Sequence, residues 1–148
     1  MQKLAEQPTR HRGTFEVLSG DDEPWQGGGD GEPRLTRVTG KQRFGGDIEG
    51  DGSVAWLMCY LPAGGARFVG LQRIEGRFHD RRGGLVLESV GDHDGRASKG
   101  EWRVVQGAGT GDLQGVAGHG RFDAPGGRTV EYELELVFEA HEPGAQER

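Results

Sequence analysis

Apolar and polar positions in this chain alternate in short runs that stop at glycines and prolines, and the period is two almost everywhere. In GTFEVLSG, residues 13 to 20, Phe15 and Val17 alternate with Thr14 and Glu16, the signature of a strand buried on one face. TVEYELELVFE, 129 to 139, sends Tyr132, Leu134, Leu136 and Phe138 one way and Glu131, Glu133, Glu135 and Glu139 the other, with Val137 the one apolar residue on the glutamate side. SVAWLMCYL, 53 to 61, is continuous instead, as expected of a strand covered on both faces. Val54, Trp56, Met58 and Tyr60 form its bulky face, suited to an interior; Ala55, Leu57, Cys59 and Leu61 form the other. Further strands are expected over 35 to 48, 67 to 78, 85 to 90 and 97 to 106, with a short one ending near Phe122.

The breaks between these runs carry turn chemistry. Glu49-Gly50-Asp51-Gly52 and Asp92-His93-Asp94-Gly95 read as hairpin turns, because Asp-Gly takes positive φ readily. Asp80 to Gly84 and Pro125-Gly126-Gly127 read as turns too. DDEPWQGGGDGEPR, 21 to 34, holds two prolines and four glycines and reads as a loop. Its Trp25 either caps an opening as part of a lid or pins the loop to the surface. GAGTGDLQGVAGHGRF, 107 to 122, places six glycines among sixteen residues yet keeps Leu113, Val116 and Phe122 as apolar anchors. No helix tolerates that density, at ~1 kcal/mol per interior glycine; a corner between strands does. The sum is an all-β fold, an eight-stranded antiparallel up-and-down β-barrel, formed by a single domain at 12–139 between polar tails at 1–11 and 140–148.

Composition narrows the function classes. A formal net charge of −6 and arginines scattered among acids disfavour nucleic acid as a partner. One cysteine, Cys59, rules out an internal disulfide and any multi-thiolate metal site, and its apolar setting suggests an inert buried thiol. No apolar run approaches a membrane span and no leader is visible, so a cytoplasmic protein without a membrane partner is expected. Asp47 to Gly52 opens like a calcium loop, but the twelfth position is Met58 rather than an acid. The glycine-rich corner lacks the third glycine of a dinucleotide fingerprint, where Gln114 stands, and no helix pattern follows it. His11, His79, His93, His119 and His141 show no metal-ligand spacing. Neither a metal nor a cofactor is expected.

GAGTGDLQGVAG resembles the Gly-Thr-Gly-acid-Leu-x-Gly-x-x-Gly signature of the bacterial family designated domain of unknown function 3224. GTFEV at 13 to 17, EPW at 23 to 25, RFGGDIEGDGSVAWLMCY at 43 to 60, FVGLQRIEGRF at 68 to 78 and the closing strand near Tyr132 extend the likeness. That family is similar in fold to the allene oxide cyclase barrel, which implies an antiparallel barrel with an apolar interior and brings no established activity. Family members often carry an acid where this chain has Gln72, and Gln-His where it has Glu88-Ser89, so a role that needs those groups does not transfer.

Three functional readings follow. In the first, the lumen binds a small apolar or aromatic molecule on Trp56, Met58, Tyr132, Leu134 and Leu136, with Trp25 over the mouth. In the second, suggested by the cyclase-like resemblance, the same cavity is an isomerase or cyclase site. Tyr60 and Gln72 would be its hydrogen-bonding groups, and Glu88 an acid or base if it points inward rather than to solvent. Gln72 shares its face with Gly70, which leaves space for a ligand or water; otherwise it is an ordinary strand glutamine. In the third, the barrel is filled and acts as an assembly module. The apolar strip Ala55, Leu57, Cys59 and Leu61 favours a homo-oligomer under any of the three.

Overall fold

A computed structural model describes residues 7–138, and among these there is no helix. The strands are β1 (Thr9–Gly27), β2 (Arg34–Gly46), β3 (Ile48–Tyr60), β4 (Ala66–Phe78), β5 (Arg81–His93), β6 (Ser98–Val104), β7 (Thr110–Gly111), β8 (Val116–Ala124) and β9 (Thr129–Phe138). Every pairing is antiparallel, in the order β4-β3-β2-β1-β9-β8-β6-β5, and a β4–β5 pairing closes the ring. The two-residue β7 lies outside this ring and pairs only with Gly83 and Gly84 of β5. The expected closed eight-stranded barrel is therefore the fold. Alternation does the work: a strand that slipped by one residue would turn its whole apolar set to water.

The boundaries differ from the expected ones at four places. β1 starts at Thr9, inside the segment read as a tail, and His11 on it is buried. The rest of that tail, residues 1–6, and the C-terminal tail at 140–148 lie outside the described residues. β1 also runs on to Gly27, through much of the expected loop, with register shifts at Val17/Ser19 and Pro24/Gln26. The β2–β3 reversal is at Gly46-Asp47, not at Glu49 to Gly52, which is strand paired with β2 and β4. The glycines there serve packing rather than turning: a side chain at Gly52 would meet the Phe44 ring at 2.8 Å and Gln42 Oε1 at 2.9 Å. The β4–β5 turn shrinks to His79-Asp80, where His79 takes a φ of 56°.

One end of the barrel is plugged. Leu113, from the glycine-rich corner, is fully buried there with Val116. Asp112 ties the corner to β5, its Oδ2 accepting from Arg82 N at 3.0 Å and its own N–H donating to Arg82 O at 2.7 Å. At the same end Asp47 accepts from Arg12 N, and the Asp47 carbonyl accepts from His79 N. The opposite end, where β2, β3 and β4 carry Arg34, Tyr60 and Ala66, is the mouth, and the upper half of β1 lies alongside it.

Candidate functional site

The barrel's middle is where a ligand would have to sit, and side chains fill it. Gln72 is fully buried at the centre. Its Nε2 donates to Gln42 Oε1 at 2.7 Å, and its Oε1 accepts from Trp102 Nε1 at 3.1 Å. Around this polar knot the rings interlock: Phe15 stacks on Phe44 at 4.6 Å between centroids, and Phe122 meets Trp102 at 5.5 Å and Trp56 at 6.2 Å. The space expected beside Gly70 is taken as well, because Trp56 lies over it, with Cδ1 2.6 Å from where a β-carbon would stand.

The proposed lumen residues do face inward. Met58, Tyr132, Leu134 and Leu136 are buried, and Trp56 and Tyr60 are half-buried toward the mouth. They do not form one site. Tyr132 belongs to the plugged end: its hydroxyl donates to Gly45 O at 2.8 Å and accepts from Ile48 N at 3.0 Å. Gly13 makes room for it, since a β-carbon there would lie 2.7 Å from the hydroxyl. Burial pushes the Tyr132 pKa up to about 12. With its one donor spent on the Gly45 carbonyl, that phenol has no proton to offer a ligand carbonyl.

Tyr60 sits at the mouth and donates to Asp22 Oδ2 at 3.3 Å, with the Arg34 guanidinium 4.2 Å above its ring. Burial and then the Asp22 carboxylate raise its pKa, while Arg34 and the Thr36 hydroxyl pull the other way. Glu88 is exposed on the outer wall, so an acid–base role for it inside the lumen is excluded by placement. Trp25 is 59% exposed at the second β1 register shift and is not among the hydrophobics packed against the core. Cys59 is half-buried rather than buried.

Sequence reading missed His11. It lies on β1 opposite Leu134, its ring 4.2 Å from the His79 ring, and its Nδ1 is buried with no hydrogen-bond partner. Burial, then the neighbouring His79, lowers its pKa. The signal was available, since the β1 alternation continues backward from Phe15 through Gly13 to His11.

The outer wall carries more pattern than the lumen. Around the waist, strand register aligns Glu23, Arg37, Leu57, Val69, Val90, Glu101, Arg121, Glu133 and Arg12 in one continuous row. Charges alternate in sign along it except at three consecutive apolar positions. Arg37 pairs with Glu23 at 2.7 Å, and Glu133 with Arg12 at 2.7 Å and Arg121 at 3.0 Å. The Arg12 hydrogen bond is the main reason Glu133 titrates below the usual carboxylate range. A depression of about 700 Å³ on the β5–β6–β8–β9 side is walled by charges of both signs, including Glu88, Arg103, Arg121 and Glu135. Such a wall is the opposite of the apolar band on a lipid-facing barrel. No helix of the described residues is long and apolar enough to cross a membrane. Nor does any group of three or more His, Cys, Asp or Glu among them form a metal site.

Comparison with known proteins agrees with this architecture. The family model described as "Protein of unknown function (DUF3224)" matches residues 11–136. The chain belongs to that family. A crystal structure of a DUF3224 protein of unknown function from Shewanella oneidensis MR-1 is similar to it, with a TM-score of 0.72 and 23% identity over 90% of this chain and 100% of that one. At that identity the likeness speaks for the DUF3224 fold alone. No curated protein matches.

Proposed function

We propose that this DUF3224 chain is a closed-core assembly module that works through its outer wall, the third of the readings above. The observation that supports it is the knot at Gln72. A lumen whose central side chain is bonded to two opposite strands has no through-space for a substrate, and opening one means breaking buried hydrogen bonds. An isomerase or cyclase reading needs a shaped cavity around Tyr60 and Gln72, and these two residues lie in different surroundings, one at the mouth and one in the packed centre. A second reading, a shallow site for a small apolar carbonyl compound at the Tyr60 mouth, is favoured by one feature. Trp56 Nε1 and Ser89 Oγ, on either side of Gly70, are buried without a hydrogen-bond partner.

Titration of tryptophan fluorescence with acetophenone and with 1-anilinonaphthalene separates the two. The closed-core reading expects no saturable quenching and no rise in melting temperature. Saturable quenching that Tyr60→Phe weakens by about five- to tenfold, the worth of one hydrogen bond, would replace it with the mouth site.

A further inference from the structure

The one interruption of the charged waist is a surface without a partner. Leu57, Val69 and Val90 are 45%, 50% and 46% exposed and are directly adjacent across β3, β4 and β5. Leu71, at 54%, and Ala55 extend the patch by one row. On one side it is bounded by Arg37 and then Glu23, on the other by Glu101 and then Arg121.

This order is self-complementary. Place a two-fold axis along the strand direction through Val69, in the plane between two copies. The operation sets Val69 on Val69, Leu57 on Val90, Arg37 on Glu101 and Glu23 on Arg121 of the other copy. Along this row every charge then meets its opposite and every apolar residue an apolar one, which is the condition an isologous interface has to meet. In the flanking rows Leu71 meets itself, Ala55 meets Glu88, and Arg67, paired with Asp92, meets its own copy. The mirror-related spacing matters here: on each side a charge borders the patch directly and one of opposite sign follows it, with the signs reversed between the two sides. Glu101 makes no ion pair among the described residues, while the Arg37–Glu23 pair is surface-exposed and easily exchanged. The wall is convex, so the walls diverge away from the axis, and Arg and Glu are the side chains long enough to reach across that gap.

We infer that the DUF3224 barrel forms a symmetric homodimer through the β3–β4–β5 face, centred on Val69 and framed by reciprocal Arg37–Glu101 pairs. The expected apolar strip along β3 contributes Ala55 and Leu57; the contact runs across three strands rather than along one. The inference rests on the outer-wall reading and names its partner as a second copy of this chain.

Sedimentation velocity on the full chain at micromolar concentration tests it. The parent sediments as a dimer. Val69→Glu sediments as a monomer with the parent's far-UV circular dichroism, whereas Leu18→Glu, an exposed apolar site off the patch at the first β1 register shift, leaves the dimer intact. Arg37→Glu and Glu101→Arg each weaken association by about tenfold or more, and the double variant, which restores opposite charges across the axis, recovers to within about threefold of the parent. A monomeric parent, a dimer indifferent to Val69→Glu, or a double variant no tighter than the singles overturns the inference. None of these touches the closed-core reading, which the acetophenone titration decides separately.

Discussion

If the Gln72 knot holds the barrel shut, its two glutamines must be energetically coupled, and the sign of the coupling is unusual. Gln72→Met keeps the side-chain length but strands Trp102 Nε1 and Gln42 Oε1, both of which bond to Gln72 in the parent. At about 1–3 kcal/mol for each stranded buried group, the cost is roughly 2–6 kcal/mol. Gln42→Met strands only Gln72 Nε2 and removes Gln42 Nε2, which has no partner to begin with. Its net cost is therefore smaller, about 0–2 kcal/mol. In the Gln72→Met background, Gln42→Met strands nothing further and relieves an orphaned amide, so it should restore about 1–3 kcal/mol rather than remove stability. Urea denaturation of the four proteins, read by tryptophan fluorescence with the m-value checked for constancy, gives the cycle. Additive losses, with Gln42→Met destabilising by the same amount in both backgrounds, would refute the network and reopen the lumen as a cavity.

Two other expectations test the plugged end. Tyr132→Phe leaves the fully buried Ile48 N–H and the Gly45 carbonyl without their partner and should cost about 2–4 kcal/mol, seen as a lower urea midpoint at unchanged m-value. The His11 pKa is lowered in the folded chain, so below the ordinary value of 6.5 the unfolded chain binds the extra proton first. Melting temperature should accordingly fall as pH drops below 6.5 toward the lowered folded value, and His11→Phe should flatten that part of the profile; an unchanged slope would place the titration elsewhere.

The fold was legible because the core face of each strand is written in period two. Tyr132, Leu134, Leu136 and Phe138 could be placed inside from alternation alone, and so could Val54 and Met58. The errors share a cause. Glycine was read as a turn signal at Gly50, Gly52, Gly83 and Gly84, where it is strand. A side chain at Gly52 would meet the Phe44 ring, and one at Gly50 or Gly83 would meet the backbone of the neighbouring strand. One strand at a time, a glycine that lets the next strand come close looks the same as a glycine that bends the chain. The same limitation hid the site. Gln42 and Gln72 are thirty positions apart on non-adjacent strands, and only ring closure brings their amides together. Glu88 shares its face with Val86 and Val90, and nothing local tells an outward Val-Glu-Val run from an inward one.

The outer wall poses the same problem from the other side, and there the register supplies the answer. Inward residues fix the pairing, so whichever residues alternate with them are aligned around the waist at no additional folding cost. Folding thus does not require any particular waist residue. Valine at 69 and 90 has an ordinary explanation, since β-branched side chains suit strands wherever they point. Leucine at 57 and 71 has no such advantage. These positions are about half exposed, and the waist row outside the apolar triple is occupied by charges that, Glu101 apart, pair with their neighbours on the next strand. A charged residue at 57 could have continued the alternating row beside Arg37 and favoured solubility. What the apolar triple provides instead is a surface that gains free energy only when covered, which is the step the proposed dimer would supply.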